Sequence, residues 1–297
     1  MPESPPRLPD WVRKPGRRPG AVHALKRGLR SLNLHTVCET ARCPNLDECF
    51  ARGATTFLIL GDLCTRQCGF CAAPKTRPRE APPAPDPREP AAVARMAARL
   101  ELRYVVVTSV TRDDLEDGGA AHFAATAREL RQALPEARIE LLTPDFSGDA
   151  PALAQVLGAA PDVFAHNLET VPRLYRQVRP QARYQRSLEV LTLAARHSRG
   201  ILIKSGLMAG LGEEPHEIEQ TLRDLREAGV DIVTIGQYLQ PSRRHLPVAD
   251  FVPPWQFEAW REFGQALGFR AVLSGPLVRS SYLAEAAWGM AAGGRAC

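Results

Sequence analysis

Three thiols within eight residues, Cys64-Thr-Arg-Gln-Cys68-Gly-Phe-Cys71, constrain this chain more than any other stretch of it. Six of the seven cysteines fall between Cys38 and Cys71. In a reducing compartment, clustered thiols point to metal rather than to disulfides. A loop this tight can grip three corners of a cubane cluster, and because such clusters take four thiolates, a three-cysteine grip leaves one iron open. Zinc is the rival. A closed zinc site wants four ligands, commonly as paired C-x-x-C units, whereas this loop has one such pair and no histidine. A second triad, Cys38-x4-Cys43-x5-Cys49, is too wide for the same loop and forms a separate site. Its residues alone leave open a structural zinc completed by His35 or an electron-transfer cluster. Cys297 ends the chain and reads as a tail thiol.

The rest of the 297 residues must present these loops. β-Branched runs at 55–60, 104–109, 139–143, 163–166, 201–206, 232–237 and 271–274 alternate with helical patterns at 90–100, 120–134, 150–157, 183–197, 214–228 and 254–267. Strand then helix, repeated, predicts a parallel sheet with right-handed crossovers. The fold class is α/β, a partial parallel (β/α)6 TIM-type barrel. Chemistry then belongs in the loops after the strands, and the second triad in sequence, Cys64 to Cys71, follows the first strand, TTFLIL. The later loops, TSVTRDD, TPDFSGD, HNLET, KSGLMAGLGE and GQYLQPSRR, are polar or glycine-rich. The expected division is residues 1–52 as an N-terminal extension carrying one triad, 53–274 as the barrel and 275–297 as a C-terminal extension. Residues 21–33 read as a helix, 36–52 as a loop-rich extension outside the barrel, and the proline-rich 76–90 as an irregular connector.

A net charge of +5 with no concentrated basic run argues against nucleic acid, and suits equally well a surface that attracts an acidic protein. The first twenty residues lack a signal-peptide core, and no eighteen consecutive apolar residues occur. A cytoplasmic protein with no membrane segment is expected.

The motif C-x3-C-x-aromatic-C after the first strand of a partial barrel resembles the radical S-adenosylmethionine (SAM) superfamily. That resemblance implies that Cys64, Cys68 and Cys71 hold a [4Fe-4S] cluster whose open iron binds SAM, which is cleaved to a 5′-deoxyadenosyl radical. Phe70 would shield the cluster. The order C-x4-C-x5-C then C-x3-C-x2-C, with VTSVTRDDLEDGGA, HNLETVPRLYRQVRP, TIGQYLQPSRRHLPV and SGPLVRSSY, is similar to the lipoyl synthase family from about Cys38 to Tyr282. This narrower resemblance implies a second [4Fe-4S] cluster on Cys38, Cys43 and Cys49, completed by Ser281 of RSSY, with Ser280 the runner-up. The implied reaction is sulfur insertion at C6 and C8 of a protein-bound octanoyl-lysine, with the second cluster as sulfur donor. Leu283 stands where that family often has histidine.

The implied partners are octanoylated lipoyl-carrier domains of 2-oxoacid dehydrogenase E2 subunits or the glycine cleavage H protein, an electron donor such as ferredoxin or flavodoxin, and an iron-sulfur carrier for cluster repair. Asn167 and Glu169 are expected to contact SAM, as is Lys204, a strand lysine that needs a partner. The glycines from Gly206 to Gly212 would admit adenine. Asp113, Asp114, Glu116 and Asp117 read as a solvated helix start, and Arg279 as an anchor for motif or substrate. Competing readings are a sulfur inserter resembling biotin synthase or a methylthiolating enzyme, an electron carrier, and a zinc-bearing nucleic-acid binder. The first triad and RSSY discriminate against the first.

Overall fold

A computed structural model describes residues 8–13, 19–52, 54–77, 79–197 and 200–293. Cys297 lies outside them. The strands are β1 (His35–Thr36), β2 (Thr56–Ile59), β3 (Tyr104–Ser109), β4 (Arg138–Leu142), β5 (Val163–Ala165), β6 (Leu202–Ala209), β7 (Ile232–Gln237) and β8 (Ala271–Gly275). They form one sheet in sequence order. From β2 to β8 every pairing is parallel, and the outer strands β1 and β8 do not pair, so the barrel is open. The helices are α1 (Pro19–Ser31), α2 (Val37–Thr40), α3 (Leu46–Ala51), α4 (Glu89–Arg99), α5 (Ala120–Ala133), α6 (Ala150–Gly158), α7 (Tyr175–Val178), α8 (Tyr184–His197), α9 (Pro215–Glu227), α10 (Pro254–Ala266) and α11 (Ala284–Gly293). Six strand–helix units and a closing seventh strand make the expected partial (β/α)6 architecture. Buried along their whole length, β2 and β7 are apolar or small runs apart from Gln237 at the end of β7, as expected of parallel strands covered by helices. No described helix is long and apolar enough to cross a membrane.

Two expectations need correction. The segment 36–52 is not a loop outside the barrel: β1 pairs antiparallel with β2, His35 opposite Leu58, and α2 and α3 follow. Thr36 caps α2 by accepting from the Glu39 N–H at 3.3 Å. A two-residue strand is too short to show a period. Lys204 also differs, because its partner is internal. Its Nζ, 1% exposed, donates to both oxygens of Glu140 at 2.8 and 2.9 Å, and Tyr104 donates to the same carboxylate at 2.6 Å. The triad fills the barrel interior below the catalytic face.

That end is closed by α11. Ala287 and Ala291 bury against Val163, Leu202, Ile232 and Ala271, residues that open their strands, and the Arg138 guanidinium stacks 4.6 Å over the Trp288 ring. Small alanines let the helix approach the strand ends closely. Cutting one partner of the Lys204–Glu140 pair leaves a buried charge uncompensated. Lys204→Met should therefore cost about 3–5 kcal/mol in chemical denaturation, and Lys204→Met with Glu140→Leu should recover most of that loss.

Candidate functional site

The turn that launches the thiol loop is held in a conformation a leucine rarely adopts. Leu60 has φ +67° and Gly61 φ +80°, so the chain leaves β2 through two successive left-handed residues. The strain at Leu60, of order 1–2 kcal/mol, is offset by bonds to both of its backbone groups. Its N–H donates to Glu89 Oε2 at 2.8 Å, and its carbonyl accepts from Arg112 at 3.3 Å. Glu89 is fixed in turn by His122 at 2.7 Å, and Arg112, 1% exposed, by a two-pronged pair with Asp114. Gly119 leaves room for the Leu60 side chain, since a Cβ there would lie 2.3 Å from Leu60 Cδ1.

The loop beyond closes on itself. Cys64 N–H donates to the Pro74 carbonyl and Thr76 N–H to the Cys64 carbonyl, while Lys75 Nζ caps the Cys68 carbonyl at 2.6 Å. Beneath it, Arg66, 4% exposed, donates to Asp113 at 2.7 and 2.9 Å and to Asp145 at 2.5 Å. Asp113 and Asp114 are exposed, as expected, but each is also the counter-ion of a buried arginine, and Asp117 caps the helix start through the N–H groups of Gly119 and Ala121. Burial alone would raise the Asp145 carboxyl, but Arg66 overrides it and holds the group at about 2. Burial pushes the Cys71 thiol up to about 11 and raises Cys68, with Arg179 opposing the latter.

Of the wider triad, Cys38 lies in α2, Cys49 in α3 and Cys43 in the bend between them. Burial pushes the Cys38 thiol up to about 11, against hydrogen bonds from Thr56. The segment bearing RSSY packs on this extension although 225 or more residues separate the partners. Asn45 Nδ2 donates to the Leu277 carbonyl at 2.7 Å, Thr56 Oγ1 to Ser281 Oγ at 2.8 Å, and Tyr282 to Glu48 at 3.2 Å. Ser280 turns the other way, donating to Asn167 Oδ1 at 3.1 Å. Arg279 donates to the Pro276 and Val278 carbonyls of its own turn, which lies so close to β7 that a Cβ on Gly236 would meet Val278 O at 2.1 Å.

These pieces share one cavity of about 470 Å3. Cys38 and Cys43 line it together with Cys64, Cys68, Cys71 and Ser281, but Cys49 and Lys204 do not. Among the described residues no three His, Cys, Asp or Glu side chains are drawn in tightly enough for a single ion. A cluster instead spreads its thiolates over separate irons, so a donor set of three thiols per loop, with a hydroxyl beside the second, fits [4Fe-4S] clusters.

Asn167 and Glu169 line the same cavity and are bonded to each other at 3.0 Å. Glu169 has φ +70°, and burial raises its carboxyl. Its N–H and carbonyl both pair with β6, which fixes the strained residue. Gly206 lines the cavity, and the space a Cβ would take at Gly206 and Gly210 is filled by the protein's own Asn167, Gln237 and Asp250. Reading the sequence alone missed Arg66, Asp145, His166 and Arg179. Arg179, buried, donates to the carbonyls of Asn167 and Leu168, and its Nε has no partner among the described residues.

Comparisons with known proteins agree with this geometry. The model of the radical SAM superfamily matches residues 58–225, and that of the N-terminal domain of lipoyl synthase matches residues 2–43. Lipoyl synthase of Caldicellulosiruptor saccharolyticus is 50% identical over 277 residues, 93% of this chain and 96% of the relative. That of Methylococcus capsulatus is 54% identical over 96% of this chain and 87% of its own, and that of Thermus thermophilus 52% over 93% and 85%. Among solved structures, HydG, a maturase of the [FeFe]-hydrogenase, superposes with a TM-score of 0.59 at 11% identity, covering 91% of this chain and 66% of its own. Methylornithine synthase (PylB) gives 0.55 at 14% identity, covering 88% of each chain. At such identities these structures speak for the fold alone.

His166 yields a test of the site's packing. Burial, reinforced by Arg179, depresses its imidazole from 6.5 to about 4. Between those values the unfolded chain takes up a proton that the folded chain refuses. Its contribution to stability is therefore complete above pH 6.5 and is lost as pH falls toward 4, by up to about 3 kcal/mol. Denaturation midpoints across pH 4–7.5 should fall less steeply in His166→Gln, and an equally steep fall in the variant would contradict this.

Proposed function

The chain belongs to the lipoyl synthase family of radical SAM enzymes, and from that premise we infer that it inserts two sulfur atoms, at C6 and C8, into an octanoyl chain carried on a protein lysine. The observation that carries this reading is that thiols of both triads line one cavity. A sulfur inserter needs its radical source and its sulfur source on opposite sides of the same substrate, whereas an electron carrier has no use for an enclosed space between them.

We assign Cys64, Cys68 and Cys71 to the cluster that binds SAM, and Cys38, Cys43, Cys49 and Ser281 to the second. When bound, these groups supply a carbon-centred radical that can take hydrogen from an unactivated methylene, and the sulfur that replaces it. The side chains of this protein do the rest. Glu169 and Asn167 offer an acceptor pair to the ammonium or ribose hydroxyls of SAM. Arg179 holds the carbonyls of this segment in place and brings a positive charge to the cavity lining, which suits an anionic group. Leu58, Val110, Leu142, Leu207 and Tyr238 form apolar wall that suits an acyl chain and keeps out water, which would quench a radical.

Ser281 is favoured over Ser280 because its oxygen lies with Thr56 beside Cys38, while Ser280 is bonded to Asn167. A serine oxygen is a harder ligand than thiolate and less matched to iron, which suits the corner that must let go. Arg279, by bonding its own turn, sets the position of Ser281. The octanoylated partner is a lipoyl-carrier domain, with a one-electron donor and an iron-sulfur carrier for repair required by the chemistry.

The test is anaerobic reconstitution with reductant, SAM and an octanoyl-lysine peptide, followed by mass spectrometry. The wild type should yield 5′-deoxyadenosine and lipoyl peptide. Cys64→Ala should abolish both, and Cys43→Ala should still cleave SAM but transfer no sulfur. Lipoyl peptide from Cys43→Ala would remove the donor role from the wider triad.

A further inference from the structure

A substrate tethered to a protein brings its carrier to the mouth of the cavity, so side chains around that mouth must meet a second protein surface. Of the residues lining the cavity, Ala41 and Arg42 are the exposed ones, which places the opening at the bend between α2 and α3. Arg42 Nη1 donates to the Pro241 carbonyl at 3.2 Å and so draws the 240–246 turn to the same opening.

That turn is well anchored at its base. Leu246 N–H donates to the Gly69 carbonyl of the thiol loop at 3.0 Å, Tyr238 donates to the Leu246 carbonyl at 2.7 Å, and Gln240 to the His245 carbonyl at 2.8 Å. Its tip presents Arg243 and Arg244, both exposed, and among the described residues no ion pair engages either. The neighbouring acids of the extension are already taken, Glu39 by Lys26 at 3.2 Å and Glu48 by Arg52 at 3.1 Å. One edge of the mouth therefore carries three arginines that no ion pair neutralises among the described residues.

We propose that Arg42, Arg243 and Arg244 form a docking edge for an acidic surface of the octanoylated carrier domain, a proposal that rests on the reading of the cavity as an octanoyl-lysine site. The edge is short and its tip carries no aromatic side chain, which separates it from a nucleic-acid groove. Charges at such a rim act mainly on encounter and partner choice, and their effect is screened by salt. The apolar cavity would then bind the acyl chain and the rim the protein that carries it.

The experiment compares two substrates in the reconstituted full-length protein. One is an octanoylated carrier domain with acidic residues flanking its lysine, and the other a short uncharged octanoyl-lysine peptide. For Arg243→Glu with Arg244→Glu, KM for the carrier should rise roughly tenfold at low salt, while kcat and the KM for the peptide stay within about twofold. Raising salt should increase the wild-type carrier KM and close the gap, and neutralising the carrier's acids should abolish it. An unchanged carrier KM overturns the docking edge, as does an equal loss on peptide and carrier. A wild-type protein that lipoylates neither substrate overturns the reading of the cavity, and the docking edge with it.

Discussion

Burial of thiols is the constraint around which the molecule is arranged. Cys38 and Cys71 are pushed to about 11 by loss of water, so neither becomes a thiolate without a compensating charge or metal. The fold gathers guanidinium groups at the same place. Arg66 lies under the thiol loop, Arg179 beside Cys68, and Arg279 beside Cys43. Each is held by the protein before any ligand arrives: Arg66 by two carboxylates, Arg179 and Arg279 by backbone carbonyls. Arg66 is neutralised by its two carboxylates, whereas Arg179 and Arg279, held by neutral carbonyls, keep positive charge in position for anionic groups at little cost in reorganisation.

Two of the strained residues lie at the same face. Leu60 and Glu169 are non-glycine residues with positive φ, one launching the thiol loop and the other placing a carboxylate in the cavity. Both are fixed through their own backbone groups, by Glu89 and Arg112 in one case and by β6 in the other. The opposite end of the barrel is built differently. There, Lys204, Glu140 and Tyr104 satisfy one another and α11 seals the strand ends with alanines, so stability and chemistry occupy separate ends, as is usual in barrels of this kind.

How much of this could be read from the chain depended on range. The strands from Tyr104 to Gln237 and the helices between them follow from local periodicity, and their observed bounds lie close to those expected. The thiol triads were legible because ligand spacing is a local property. Long-range partners were not. Nothing near Lys204 in sequence announces Glu140, sixty-four positions away, nor does Arg66 announce Asp145. β1 escaped notice because two residues show no alternation, and α11 because an alanine-rich helix has little amphipathic contrast. The RSSY segment carried meaning only through family resemblance, until Asn45, Thr56 and Glu48 were seen to hold it against the wider triad.

The central claim is that the wider triad holds sulfur that ends in the product. The direct measurement is a single turnover of protein reconstituted with heavy-isotope sulfide, in buffer containing only natural-abundance sulfur, with mass spectrometry of the lipoyl group. Both inserted sulfurs should carry the heavy isotope. Lipoyl product with two unlabelled sulfurs would contradict the account.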